Sequence, residues 1–288
     1  MTTLAQEGLD PLELADLVDR ALAEDLGGAG FDADVTSAAT IRADLQGTAD
    51  VRTRSAGVVA GIEVAALVLE RAGAEVIRVR ADGDRLEAGD IVLTANGPVR
   101  RLLTVERTTL NLICHLSGIA TLTAAWVDAV ADTGAKIRDT RKTTPGLRKL
   151  EKYAVRCGGG VNHRMGLWDA ALVKDNHVAA AGGVSAAFRA VRTQFPGIAV
   201  EVECDTVAQV REAIAAGADL ILLDNMSLAE LRESVELAHP QVLLEASGGL
   251  SLDVAAAVAA TGVDYLAVGA LTHSAPILDL GLDLREGF

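Results

Sequence analysis

Leu12, Leu14, Leu17, Val18, Leu22 and Leu26 recur close to helical spacing, and Pro11 suits a first helical turn, so Pro11 to Leu26 reads as an amphipathic helix. A Gly/Asp-rich loop from Gly27 to Asp34 follows. Short alternating runs at Thr48–Arg54, Glu75–Arg80 and Ile91–Thr94 read as strands, with an Asp82-Gly83-Asp84 turn before the last. Gly61 to Ala72 reads as a helix between them. Strands and helix do not alternate strictly here, which predicts a separate small α+β domain through about residue 98. Arg100 to Thr133 is strongly helical, with Leu103, Leu110, Ile113 and Leu116 as its core stripe and Gly118 as the expected interruption.

The rest of the chain has a rhythm. Apolar runs at Ala199–Val202, Leu220–Leu223, Val242–Leu244 and Tyr265–Val268 alternate with helical patterns at Val207–Ala215, Leu228–Leu237 and Leu252–Ala259. Lys136–Asp139 and Ala171–Lys174 extend the series backward. Continuous apolar strands separated by helices mean a parallel sheet. So many short βα units fit a closed or nearly closed α/β barrel better than an open doubly wound sheet. No GxGxxG follows any strand, so a dinucleotide fold has no support.

Charge changes the picture. The 288 residues carry a formal net charge of −14, with only 3% aromatic residues. That balance argues against a nucleic-acid partner, which demands basic faces and stacking platforms. Yet residues 136–177 hold ten cations and four anions, a +6 island within a remainder of −20. Such an island implies a small anionic ligand and electrostatic focusing toward it. Arg148, Lys149 and Lys152, at helical spacing near Glu151, read as a solvated basic face; Arg141, Lys142 and Lys174 sit at strand ends and do not. The N-terminal MTTLAQEGLDPLEL shows no signal pattern, and the longest apolar candidate for a membrane span, Gly118 to Val130, is broken by Asp128. Cys114, Cys157 and Cys204 form no CxxC pair and read as small buried hydrophobes in a reducing cytoplasm.

In a parallel barrel, chemistry gathers at the C-terminal ends of the strands. Those ends read Asp139-Thr140-Arg141-Lys142, Lys174-Asp175-Asn176-His177, Glu201-Val202-Glu203, Asp224-Asn225, Glu245-Ala246-Ser247-Gly248-Gly249 and Gly269-Ala270. The two glycine turns suit close backbone approach to a phosphate. Glu203 and Asp224 suit a hard cation such as Mg²⁺, or a developing positive charge; ion pairing with Lys174 or Arg164 is the alternative.

These residues resemble the quinolinate phosphoribosyltransferase family. The motifs are Glu106-Arg107-Thr108, DTRKTTPGLR from Asp139, KYAVRCGGGVNHRMGLWD from Lys152, VKDNH from Val173, LLDN from Leu222, SGG from Ser247 and VGALTHS from Val268. They span nearly the whole chain in order. Two departures are a longer Gly/Asp loop after Leu26 and Ala267 before Val268. The resemblance implies an N-terminal α/β sandwich over residues 1–115, an open, incomplete α/β barrel over 116–274, and a C-terminal segment, 275–288, free to return to the first domain. It implies phosphoribosyl transfer from phosphoribosyl pyrophosphate to quinolinate with decarboxylation, Mg²⁺ as cofactor, and a cytoplasmic homodimer with shared active sites, open to higher assembly. By the same resemblance Arg107 of a partner subunit, Thr140, Arg141, His163, Arg164 and Lys174 bind quinolinate. Lys142, Ser247, Gly248, Gly249, Val268, Gly269 and Ala270 hold the ribose phosphate. Lys142, Glu203 and Asp224 stabilise the reacting centre, the last two also toward Mg²⁺. Three rival readings stand beside this one: a molybdenum-transport-associated relative of the same fold, a Schiff-base lyase using Lys174, and a non-catalytic anion-binding barrel.

Overall fold

The computed structural model describes residues 8–286; the first seven residues of the N-terminal stretch and the last two of the chain lie outside them. Helix α1 (Pro11–Leu26) starts where the Asp10 carboxylate accepts the Leu12 N–H at 2.9 Å and ends at Gly27 in the left-handed conformation. Its buried face is Leu14, Val18 and Leu22, while Leu12 is exposed. Then come α2 (Val35–Thr40), β1 (Gln46–Thr53), β2 (Gly57–Val58), α3 (Ile62–Arg71), β3 (Glu75–Arg78), β4 (Arg85–Leu86), β5 (Ile91–Pro98) and α4 (Val99–Ala129).

Gly118 does not interrupt α4, which runs unbroken for 31 residues. A Cβ at Gly118 would lie 2.1 Å from the Pro276 carbonyl oxygen, so the glycine serves close packing. Among the described residues α4 alone is long and apolar enough to cross a membrane. Leu102, Val105, Ile113 and Leu116 are buried, however, as in a core helix.

After β6 (Lys136–Arg138), helix α5 (Arg148–Cys157) corrects the reading of a solvated basic face. Lys149 is exposed and meets Glu13 at 2.8 Å. Lys152 and Glu151 are fully buried beside Leu150, Ala154 and Val155, and Glu151 Oε1 meets His115 Nε2 at 2.9 Å. Cys114 and Cys204 are buried and Cys157 half-buried, and none of the three forms a disulfide among the described residues.

The chain continues through β7 (Ala170–Val173), α6 (Asp175–Ala181), α7 (Val184–Gln194), β8 (Ala199–Cys204), α8 (Val207–Ala216), β9 (Leu220–Asp224), α9 (Leu228–Ala238), β10 (Leu243–Ser247), α10 (Leu252–Ala259), β11 (Tyr265–Ala267), α11 (Ala270–His273) and β12 (Leu280–Leu284). Thr206 with Gln209 and Ser227 with Glu230 form capping boxes that start α8 and α9.

Two compact units result. Residues up to 122, 149–158 and from 274 onward form one; 123–148 and 159–273 form the other. The first carries an antiparallel sheet in the order β12-β1-β5-β3 and the small pair β2-β4. The second carries a parallel sheet in the order β6-β11-β10-β9-β8-β7. Its end strands β6 and β7 do not pair, so the barrel stays open; Val161 adds a single bridge outside β6.

Candidate active site

Strand geometry decides which side chains meet. Alternate residues of a strand face the same way. In β8 the apolar Val200, Val202 and Cys204 are all buried, leaving Glu201 and Glu203 on the other face. Pairing aligns Glu203 with Leu222, Leu222 with Glu245, and Asp224 with Ser247. These residues, with Leu172 and Ala267, line one cavity of about 450 Å³. Thr140, Arg141, Lys142, His163, Arg164 and Lys174 complete its wall. Nine of the residues singled out by sequence therefore converge within the second unit.

The cavity is cationic. Lys174 Nζ meets Glu203 Oε2 at 2.6 Å, the ion pair anticipated as one reading of that carboxylate. Asp224 makes no ion pair among the described residues; its Oδ2 accepts the Asn225 amide at 2.7 Å. Arg141 Nε is buried without a hydrogen-bond acceptor, a donor that an anion would satisfy. Burial first, and then the neighbouring Arg141 guanidinium, pull Arg164 below its ordinary value. Two guanidinium groups held this close favour an anion between them.

Beneath the cavity lies a network that sequence reasoning missed. His163 Nε2 meets Glu201 Oε2 at 2.7 Å, and its Nδ1 accepts the Arg164 backbone N–H at 2.6 Å. Arg138 Nη1 meets Glu245 Oε2 at 2.6 Å, and Glu245 lies 3.6 Å from His163. Glu201 and Glu245 are almost wholly inaccessible. Burial first, then the Glu201 charge, push the Glu245 carboxyl up to about 7. His163, Glu201 and Glu245 bring ligand atoms within 4.8 Å of one another, as a metal site would, but the Arg138 guanidinium already supplies the positive charge there. The signal available in sequence was the alternation of carboxylates along otherwise apolar strands.

Loops around the cavity are tied by hydrogen bonds. Thr140 Oγ1 accepts the Lys142 N–H at 3.0 Å. Arg148 Nε donates to Thr143 Oγ1 at 2.9 Å, and its Nη1 to the Met165 carbonyl at 3.2 Å. Asp169 accepts the Met165 and Gly166 N–H groups at 2.6 and 2.8 Å, so Arg148 and Asp169 are further site-shaping residues. His177 Nδ1 accepts the Lys174 N–H at 2.9 Å, a helix-capping contact.

The remaining sequence candidates lie off the lining. Gly248 and Gly249 follow Ser247 with φ of +90° and +59°. Gly269 abuts Lys142: a Cβ there would lie 3.0 Å from Lys142 Cδ. Val268 is buried, with Ala270 at the start of α11. Arg107 is exposed on α4, in the first unit, and does not line the cavity.

Known proteins resemble this chain over most of its length. Residues 34–117 match the family model of the quinolinate phosphoribosyl transferase N-terminal domain, and residues 119–283 that of its C-terminal domain. A Mycobacterium leprae protein named nicotinate-nucleotide pyrophosphorylase (carboxylating) is 55% identical, covering 93% of this chain and 96% of its own. A Bacillus subtilis protein, probable nicotinate-nucleotide pyrophosphorylase (carboxylating), is 42% identical over 96% of this chain and 95% of its own. The solved nicotinate-nucleotide pyrophosphorylase of Francisella tularensis superposes with a TM-score of 0.90 at 36% identity, covering 96% of this chain and 98% of that one. The chain belongs to the quinolinate phosphoribosyl transferase family.

Proposed function

We propose that this protein transfers the phosphoribosyl group of phosphoribosyl pyrophosphate to the ring nitrogen of quinolinate and releases pyrophosphate and CO₂, forming nicotinate mononucleotide for NAD biosynthesis. The observation that carries the reading is one small cavity lined by Arg141, Lys142, Arg164 and Lys174 together with the carboxylates of Glu203 and Asp224. A dicarboxylate and a polyphosphate need the cations. A sugar carbon that turns positive as pyrophosphate leaves needs the carboxylates.

Arg141, Arg164 and Lys174 receive the two quinolinate carboxylates, with Arg141 Nε as the waiting donor. His163 belongs to the same group, fixing the Arg164 backbone through its Nδ1. Thr140 shapes the turn that presents Arg141 and Lys142. Lys142, with Ser247, Gly248, Gly249, Val268, Gly269 and Ala270, holds the ribose 5-phosphate, the last residues through backbone N–H groups. Glu203 and Asp224 offer hard oxygen donors, the chemistry Mg²⁺ prefers when it binds through one or two carboxylates plus substrate phosphates. Bound there, Mg²⁺ would neutralise charge on the departing pyrophosphate. The same carboxylates orient the ribose hydroxyls and face its C1.

No covalent nucleophile is needed. The ring nitrogen's lone pair forms the bond to C1 as the C1–O bond to pyrophosphate breaks. The nitrogen is then a pyridinium, which stabilises the electron pair left on C2 when CO₂ departs, and a proton replaces the carboxylate. Positioning and electrostatics supply the catalysis. Arg107 completes the quinolinate site from a partner subunit, so the active form is a homodimer. Cysteines held outside disulfides fit work in the reducing cytoplasm. The test is release of labelled CO₂ from carboxyl-labelled quinolinate with phosphoribosyl pyrophosphate and Mg²⁺. Labelled CO₂ that appears only with both substrates supports the reading; none overturns it.

A further inference from the structure

Among the described residues Asn225 is the one non-glycine residue with positive φ, +54°. It stands directly after Asp224, at the end of β9. Left-handed backbone disfavours most side chains and is tolerated best by glycine and asparagine, and such outliers gather at functional sites. Three contacts set this residue. Its Nδ2 donates to Asp224 Oδ2 at 2.7 Å. Its backbone N–H donates to the Ser247 carbonyl at 2.9 Å. Its carboxamide also presses on the next turn: a Cβ at Gly248 would lie 2.3 Å from Asn225 Oδ1 and 2.8 Å from Asn225 N. The turn after β9 and the Ser247-Gly248-Gly249 turn after β10 are therefore interlocked.

We propose that Asn225 is a positioning residue, whose left-handed backbone and side-chain amide fix the Asp224 carboxylate toward the cavity and lock the Ser247-Gly248-Gly249 turn beside it. The inference rests on the phosphoribosyl transfer proposed above and adds to it the group through which Asp224 is aimed. The chemistry selects asparagine narrowly. Glycine would keep the backbone and lose the donor. Aspartate would keep the size and the turn but set a second negative charge against Asp224. Alanine would lose both backbone compatibility and donor. With one Asp224 oxygen held by the amide, the other is left for the ribose or the metal.

The experiment measures phosphoribosyl pyrophosphate affinity by calorimetry, with Mg²⁺ present, for the full-length wild type, Asn225→Gly, Asn225→Asp, Asp224→Ala and the Asn225→Gly/Asp224→Ala double variant. A hydrogen bond to a charged group predicts at least about tenfold weaker binding in Asn225→Gly, with quinolinate affinity and the unfolding midpoint nearly unchanged. Asn225→Asp binds more weakly still. In the Asp224→Ala background the glycine substitution has little further effect, because the oxygen that accepts the Asn225 amide is gone. Wild-type affinity in Asn225→Gly, or full additivity in the double variant, overturns the proposal and leaves the transferase reading standing. A wild type that fails to bind phosphoribosyl pyrophosphate overturns both.

Discussion

Arg54, Arg71, Arg78 and Arg285 in the first unit each meet a carboxylate at 3.1 Å or less, through Asp283, Asp19, Glu63 with Glu70, and Asp50. Arg141, Lys142 and Arg164, around the cavity of the second unit, form no ion pair among the described residues. The same residue types serve opposite ends. In the first unit these four positive charges are spent on the chain itself, clipping a strand or helix to its neighbour. In the second, charge is gathered beyond what the local carboxylates neutralise, and a buried guanidinium donor is left over. Such an arrangement costs stability through mutual repulsion and is sustained where a ligand repays it. The difference locates function more sharply than the overall count of basic residues does.

The largest break in that contrast comes from removing an unspent cation. Arg164→Ala should lower kcat/KM on the order of 10³-fold while the thermal midpoint stays near that of the wild type. Lys174→Ala should act similarly even though Lys174 is paired, because its partner Glu203 lies in the same cavity wall and loses its ammonium. Turnover near wild type in either variant would sink the assignment of the cavity as the quinolinate site. A collapse of the thermal midpoint would instead mark these cations as structural, like those of the first unit.

How far the sequence could be read follows from the same physics. The barrel was legible because buried strands between helices leave continuous apolar runs, a local signal. Seven of the nine cavity residues were legible because parallel strands end on one face; His163 and Arg164 stand at no strand end and were found through the charge island and the family motif. The network under the cavity was not. Arg138 and Glu245 are 107 residues apart, and nothing local says that a carboxylate at the end of one strand will find a guanidinium on another. Lys152 was misread for a related reason: its spacing from Arg148 and Lys149 fits an exposed helical face, yet the chain folds over it. A lone glycine in a helix reads as a break, and the close approach that requires Gly118 involves Pro276, far along the chain.

Gly118 offers the next largest effect, and it concerns stability. Gly118→Ala places a methyl against the Pro276 backbone, which cannot yield as a flexible side chain would. Overpacking of this kind costs about 3 kcal/mol, read as a lower urea midpoint. A neutral or stabilising result would show that the segment after residue 274 can move aside.

Glu245 sharpens the comparison through pH. Its folded pKa, about 7, lies above the ordinary glutamate value because of burial. The native state therefore holds this proton more tightly than the unfolded chain does. The stabilisation is complete below roughly pH 4.3 and is lost as pH rises through the folded value. Relative to Glu245→Gln, the wild type should lose on the order of 3 kcal/mol across that window. Denaturant titrations at pH 5, 6, 7 and 8 measure it. Parallel curves for the two proteins would mean that Glu245 stays ionised throughout, held by Arg138.

The smallest effect belongs to the paired cations, and it closes the contrast from the other side. Arg78 bridges Glu63 at 2.6 Å and Glu70 at 3.1 Å, and the three side chains are 35%, 31% and 43% exposed. Exposed pairs are screened by water and lose side-chain entropy on forming, so Arg78→Ala should cost only about 0.5–1 kcal/mol. Much of that cost should vanish in 1 M salt, where the screening length falls to roughly 3 Å. Turnover should not change. If Arg78→Ala instead depressed kcat as strongly as Arg164→Ala, an ion pair outside the cavity would no longer mark a structural cation. A small, salt-sensitive loss of stability with full activity would confirm that Arg78 acts on the chain, whereas Arg141 and Arg164, which no carboxylate has claimed among the described residues, are left for the substrate.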